Sequence, residues 1–263
     1  MRILDGRLLA DRITKKLRIH SPPGERLAIL VPANNDASSD GFVAEIRELA
    51  RFLGVGIQIL YKPPLATTEE LADDLRRFGS DPAIGGIVLI MPLPPGIDRR
   101  KVLSAIPAEK DIDCLNPGNR FFNTPAGLTL VHIWNEVMPR PFWSFGEPHK
   151  VAVVGRGLLV GKPVIDILNQ WRQEVSVFSS KTSLDGLKEA DVVILGTGVP
   201  KLVSPAMLKS GAVVIDFGYP GDFDHTHSEA DKIAWYAPAK GGTGPLLVAC
   251  LMETFYQLTG SLK

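Results

Sequence analysis

The stretch KVAVVGRGLLVGKP, Lys150 to Pro163, confines the fold more than any other part of this chain. An apolar strand runs directly into a glycine-rich turn and then a helix start, the order in which a parallel α/β sheet meets a nucleotide phosphate. Gly155, Gly157 and Gly161 permit a tight turn and close approach of a phosphate to the backbone. The following helix is expected to present unpaired N–H groups and the positive end of its dipole. The spacing is GxGxxxG rather than GxGxxG, so the weight of the motif rests on its context of strand before, helix after and further alternation around it. Arg156, inside the turn, adds positive charge for phosphates or stands as a solvated loop arginine.

The alternation begins well upstream. Helical spacing over Leu8–Leu17 leads to a buried strand at Arg26–Ala33 and then to a helix over SSDGFVAEIRELARFLG, entered at Ser39 or Asp40 and stopped by Gly54. A strand at Gly56–Lys62 follows, then a helix from the capping-box pair Thr67 and Glu70 to Gly79, then a strand at Gly85–Pro95 that proline ends. After the polar loop NPGNRFFNTPAG and a helix from Pro125 to about Met138, the second half reads as four strands separated by three helices. The three helices are expected in PVIDILNQWR, SLDGLKEA and PAMLKSG, and a final long helix covers about Leu246 to Leu258. The fold class is therefore α/β: a small parallel-sheet domain and a Rossmann-like dinucleotide-binding domain.

Composition excludes several partners. Lys plus Arg and Asp plus Glu each number 29, so nothing points to nucleic acid or an anionic membrane. Cys114 and Cys250 lack metal-ligand spacing and read as small hydrophobes in a reducing compartment. No apolar run is long enough to span a bilayer and the start, MRILDGRLLADR, is charged, so a soluble cytoplasmic protein is expected. His225 and His227 form an HxH pair in a polar loop without an evident third ligand, so no metal site is expected.

The second strand of the dinucleotide half chooses between NAD and NADP. An acidic residue at its end would bind ribose hydroxyls, but Ser179, Ser180, Lys181 and Thr182 stand there instead. Ser180 and Lys181 suit a 2′-phosphate, which makes NADP the expected cofactor; the alternative is that these residues only cap the next helix. Thr197 and Gly198, at the end of DVVILGTG, are further candidates for the cofactor site.

Seven segments in order, ILDGRLLADRI, GGIVLIMPLPPGI, EKDIDCLNPGN, NTPAG, VVGRGLLVGKP, GAVVIDFG and GGTGP, resemble the bifunctional methylenetetrahydrofolate dehydrogenase/methenyltetrahydrofolate cyclohydrolase family. The resemblance implies a folate-binding catalytic domain at 1–118, completed by a C-terminal helix at 246–263, and an NADP-binding domain at 119–245. It also implies a homodimer. Asp113 matches the family's folate-binding acid and Ser38 its helix-entry serine, while Pro92 belongs to its PLP triplet. Gly241, Gly242 and Pro245 of GGTGP are expected to line cofactor and folate.

The departures from that family cluster at its chemistry. Aligned without a gap, Gly41 stands at the family's tyrosine, Glu45 at its lysine and Met91 at its glutamine. Lys240 stands where proline is usual and Leu247 where threonine is usual. Hydrolysis of a methenyl cation needs a positioned proton donor, which glutamate does not supply, whereas hydride transfer mainly needs donor and acceptor held in register. The resemblance thus implies an NADP-dependent dehydrogenase with weak or absent cyclohydrolase activity. Glu45 would either stabilise the developing cation or face solvent beside Glu48 and Arg51. Lys62 would either replace the missing lysine or be a solvated strand-end residue, and Trp134, Phe142 and Trp143 read as packing residues. Two other functions stay open: a non-catalytic folate or dinucleotide binder, and a dehydrogenase of another one-carbon carrier whose pocket is widened by Gly41 and Met91.

Overall fold

The computed structural model describes residues 1–33, 37–119, 124–138 and 148–262, and the side chains of all of these except 37 and 38. They form two compact units, Asp11–Pro125 with Val248–Lys263 and Met1–Ala10 with Ala126–Leu247.

The first unit is built on three parallel strands, β2 (Arg26–Val31), β3 (Ile57–Tyr61) and β4 (Ile84–Leu89), in the order β3-β2-β4. The central strand β2 is apolar without alternation, Leu27 to Leu30 being wholly buried, as a parallel strand covered on both faces must be. Its helices include most of α1 (Gly6–Arg18), with α2 (Ala37–Leu53), α3 (Thr68–Ser80) and the short α4 (Arg99–Ser104). The expected capping box of α3 is present. Thr67 Oγ1 accepts the Glu70 amide at 3.2 Å, and Glu70 Oε2 accepts the Thr67 amide at 2.7 Å. The chain passes from β2 outward to β3 and returns to β4 on the other side of β2, so the direction of strand order reverses between β2 and β4. Ligands bind outside the carboxyl ends of parallel strands at such a reversal.

The second unit carries a six-stranded parallel sheet of β1 (Arg2–Ile3), β5 (Lys150–Val154), β6 (Glu174–Phe178), β7 (Val192–Leu195), β8 (Val213–Asp216) and β9 (Trp235–Ala237). The order β1-β9-β8-β7-β5-β6 reverses between β5 and β7, beside the glycine turn. Arg2 and Ile3 pair with Trp235 and Tyr236, so the first ten residues, expected with the N-terminal domain, belong to this unit. Neither β1 nor β9 is expected from the sequence, because two or three residues are too short to show a period. Of the three helices expected between strands only α6 (Gly161–Gln170) is an α-helix. The other two are 3-10 turns at Asp185–Glu189 and Pro205–Met207. Each is too short to nucleate an α-helix, and Gly186 packs so tightly on Phe178 that an added Cβ would lie 3.1 Å from its ring.

Helix α5 (Pro125–Val137) carries Trp134, which is buried and meets the rings of His149 and Trp171 edge-on within this unit. Phe142 and Trp143 lie outside the described residues. The last helix, α7 (Gly244–Leu258), starts two residues earlier than expected. No helix among the described residues is long and apolar enough to cross a membrane.

Candidate active site

At the end of β5 two of the three glycines are there by necessity. Gly155 has φ +106°, and a Cβ on it would sit 2.7 Å from the Gly196 carbonyl oxygen. A Cβ on Gly161 would sit 2.3 Å from the carbonyl oxygen of Gly155, so the turn closes only around bare backbone. Gly157 is different: its Cβ would meet nothing nearer than 4.0 Å, which leaves it as open room above the turn. The start of α6 has no side-chain cap. Its amides are less available than expected, because Lys162 N–H goes to Gly157 O at 2.9 Å and Pro163 has none. What the helix end offers an anion is chiefly its dipole, with the exposed Arg156 beside it.

The register places the other cofactor candidates around this turn. Val154 pairs with Phe178 on one side and with Leu195 on the other, so 155–157, 179–181 and 196–198 leave the sheet side by side. Ser179 and Thr182 close the β6 turn between themselves. Thr182 Oγ1 accepts the Ser179 amide at 2.7 Å and donates to the Ser179 carbonyl at 3.0 Å. Ser180 and Lys181 therefore stand exposed and do not cap a helix, which disposes of that alternative.

Thr197 departs from expectation. Its amide and its hydroxyl both donate to Asp222 Oδ2, at 2.6 and 2.7 Å, so neither donor is left for a ligand. Gly198 follows with φ +72°. The GGTGP loop is held internally as well: Thr243 donates its hydroxyl to Asp216 O at 2.6 Å and its amide to Pro238 O at 2.8 Å. Gly241 has φ +80°, Gly242 is buried with no room for a Cβ beside Pro238, and Pro245 lies half-buried in the first turn of α7. Lys240 is exposed and Leu247 half-buried.

In the three-stranded unit the acidic run lies along β4. Asp111 bridges Ile87 in parallel, and Ile112 N–H reaches Ile87 O at 3.4 Å, which carries Asp113 toward the strand's carboxyl end and Met91. Asp111 is buried, accepting from the Asn116 amide at 2.8 Å and from Asn119 Nδ2 at 3.2 Å, and burial raises its pKa. Asp113, half-buried, is pushed up to about 7, first by burial and then by the negative charge of Asp111. A carboxyl poised near neutrality can change its proton at working pH. The Cys114 thiol is pushed up to about 12 by burial and by both aspartates, so it is not a nucleophile. Met91 is half-buried and Pro92 exposed.

Helix α2 carries Gly41 and Glu45. Its buried stripe is Ser39, Val43, Ile46, Ala50 and Leu53. At 100° per residue, Gly41 and Glu45 fall on the opposite, exposed face. The pair one position on, Phe42 and Ile46, is half-buried and fully buried. Glu45 lies exposed, away from the buried stripe of α2. The side chain of Ser38 lies outside the described residues.

A Cβ on Gly41 would meet nothing within 4 Å. Gly41→Ala should therefore stabilise the protein by about 1 kcal/mol, through helix propensity and a less flexible unfolded chain. A thermal melt reads this as a rise of about 2–4 °C, with catalytic turnover unchanged.

Lys62 is not the solvated strand-end residue of the second reading. It pairs with Asp74 at 2.8 Å, both side chains largely buried, and Asp74 also receives Arg77 at 2.5 Å. The HxH pair is likewise absorbed by its loop, His227 Nδ1 accepting the Glu229 amide at 3.2 Å and His225 stacking on Tyr236.

Comparison with known proteins places both units. Residues 4–113 match the tetrahydrofolate dehydrogenase/cyclohydrolase catalytic domain, and residues 146–261 match the tetrahydrofolate dehydrogenase/cyclohydrolase NAD(P)-binding domain. The bifunctional protein FolD of Chloroflexus aggregans is 31% identical over 289 residues, covering 99% of this chain and 98% of its own. The 5,10-methylenetetrahydrofolate dehydrogenase of the silkworm Bombyx mori superposes with a TM-score of 0.85 at 26% identity, over 99% of this chain and 98% of that one. The Trypanosoma brucei N5,N10-methylenetetrahydrofolate dehydrogenase-cyclohydrolase, solved with NADP and an inhibitor, gives 0.85 at 26% identity, over 98% and 97%.

Proposed function

This chain belongs to the tetrahydrofolate dehydrogenase/cyclohydrolase family, and on that basis we propose that it oxidises 5,10-methylenetetrahydrofolate with NADP and hydrolyses the methenyl product weakly or not at all. The observation that carries the second half is helix α2, ASSDGFVAEIRELARFL, which has no lysine and no tyrosine on any face. With Met91 in place of glutamine, the carboxyl end of the β2/β4 reversal has lost the side chains that would hand a proton to the leaving nitrogen.

The residues fit a nicotinamide dinucleotide. The bare backbone of Gly155 and Gly161, the dipole of α6 and Arg156 would hold the pyrophosphate. Ser180 and Lys181, exposed next to that turn with no carboxylate between Ser179 and Thr182, would take a 2′-phosphate and so prefer NADP. Gly198 and Gly242 would border the cofactor by backbone alone. The bound dinucleotide supplies the hydride acceptor. On the folate side Asp113 would accept hydrogen bonds from the pterin, and Met91 and Pro92 would bound that pocket with apolar surface; in the dinucleotide unit Gly241 and Pro245 would present backbone and ring to a ligand. These residues orient a substrate whose own nitrogen lone pair expels the hydride, so oxidation needs no further acid. The catalytic domain is read as the unit of residues 11–125 with 248–263 and the NADP domain as that of residues 1–10 with 126–247, in a cytoplasmic homodimer whose stoichiometry light scattering measures.

The test is a two-wavelength assay with methylenetetrahydrofolate and NADP. NADPH should form while the methenyl compound accumulates. Formation of NADPH with prompt loss of the methenyl signal overturns the lost-hydrolase reading, and cofactor binding without any NADPH makes the chain a binder instead.

A further inference from the structure

Asp222 is buried completely. It follows β8 by six residues, in GYPGD, and reaches back across the sheet to the loop after β7. Its Oδ2 receives both donors of Thr197, the amide at 2.6 Å and the hydroxyl at 2.7 Å, and Thr197 Oγ1 in turn accepts the Val199 amide at 3.2 Å. Its Oδ1 is buried with no hydrogen-bond partner among the described residues. That atom packs on Gly218, where an added Cβ would fall 2.0 Å away, so this glycine is required by the aspartate's bulk rather than by its own backbone angles. Asp216 anchors the same loop from below, Oδ1 accepting the Gly218 amide at 2.9 Å and Oδ2 the Phe223 amide at 3.0 Å.

Asp222, held in the loop after β8, in turn holds the loop after β7, and that second loop shapes the glycine turn. A Cβ on Gly155 would strike Gly196 O at 2.7 Å and Thr197 Cγ2 at 3.2 Å, so displacement of Thr197 is felt directly by the turn. A buried carboxylate holding two donors on one oxygen makes charge-assisted bonds, about twice the strength of those an amide would make. Leaving Oδ1 buried and unpaired costs free energy, which is the mark of a group kept for position rather than for stability.

We infer that Asp222 is a positioning residue for the dinucleotide site, locking the Thr197–Gly198 loop against the glycine turn so that the site is formed before the cofactor arrives. The inference rests on the proposed reading of that turn as the dinucleotide site. Asp222→Asn and Thr197→Val should each raise the Kd for NADP about tenfold, and Asp222→Asn should leave kcat at saturating NADP nearly unchanged. The two together should be no worse than either alone, because both break one interaction. Thr197→Ser, which keeps both donors, should bind like the parent.

Amide hydrogen exchange supplies a readout that needs no cofactor. Thr197 N–H should be protected in the parent and in Thr197→Ser, and exchange faster in Asp222→Asn. Should Asp222→Asn fail to fold, the Val and Ser variants at 197 carry the same comparison. Equal NADP affinity in Thr197→Val and the parent, or a double variant in which the losses simply add, would overturn the inference while leaving the cofactor reading intact. A parent protein that is folded, protects Thr197 and does not bind NADP overturns the cofactor reading, and this inference with it.

Discussion

Gly161→Ala should cost this protein its cofactor while leaving its folate-side unit folded. The new Cβ would lie 2.3 Å from Gly155 O, 2.8 Å from Gly155 C and 2.9 Å from Arg156 Cα. All three atoms are backbone in the turn itself, so no side-chain rotation relieves the contact and the turn must open. Overpacking of this kind costs about 1–3 kcal/mol. Part of that cost falls on the binding-competent shape, and about 2 kcal/mol corresponds to a roughly thirtyfold weaker Kd. Titration of NADP by calorimetry measures it. Gly24→Ala is the control, since a Cβ there meets nothing within 4 Å. Unchanged NADP affinity in Gly161→Ala would mean that the phosphate lies elsewhere.

Asp113→Asn should separate stability from function. The carboxyl is raised from its ordinary value of 3.8 to about 7 in the fold, by burial first and by Asp111 second. Between these values the unfolded chain has released a proton that the folded chain still holds, so rising pH drains stability through that window and stops doing so above about 7. At 1.36 kcal/mol per pKa unit the ceiling is about 4 kcal/mol, and the group's partial contact with water brings it to about 2. Asparagine removes the titration. The variant should melt about 5 °C higher than the parent at pH 8, with the margin closing as pH falls toward 4. Activity should go the other way, falling about a hundredfold for loss of a charged hydrogen-bonding partner to the substrate. In the parent, the KM for folate should fall as pH rises through about 7, and that dependence should vanish in the variant. A variant that melts lower than the parent at pH 8 would refute the account of Asp113.

Legibility follows the range of the interactions involved. The Thr67/Glu70 capping box and the β5 turn are readable because each is closed by residues a few positions apart. The two 3-10 turns read as helices because local composition says helix while the neighbouring strands leave no length for one. Gly41 and Glu45 are drawn toward the site by a spacing of four, which is right for one helix face but silent about which face. A shift of one residue turns a side chain by 100°, and only the buried stripe through Val43 and Ile46 shows where the core lies. Thr197 is legible as a site residue, but its occupation by Asp222 joins positions 25 apart that carry no shared local pattern.

By itself the sequence determined two parallel α/β units, a glycine turn after Val154 and the family to which the chain belongs, because apolar periodicity, glycine placement and motif order are properties of neighbours along the chain. Tertiary structure alone decided that Gly157 is room rather than necessity, that both donors of Thr197 go to Asp222, that Glu45 lies on the exposed face of α2, and that burial pushes the Asp113 carboxyl up to about 7. Each of these depends on which atoms lie within a few ångströms across the fold, and burial and charge act through that distance, not through sequence separation.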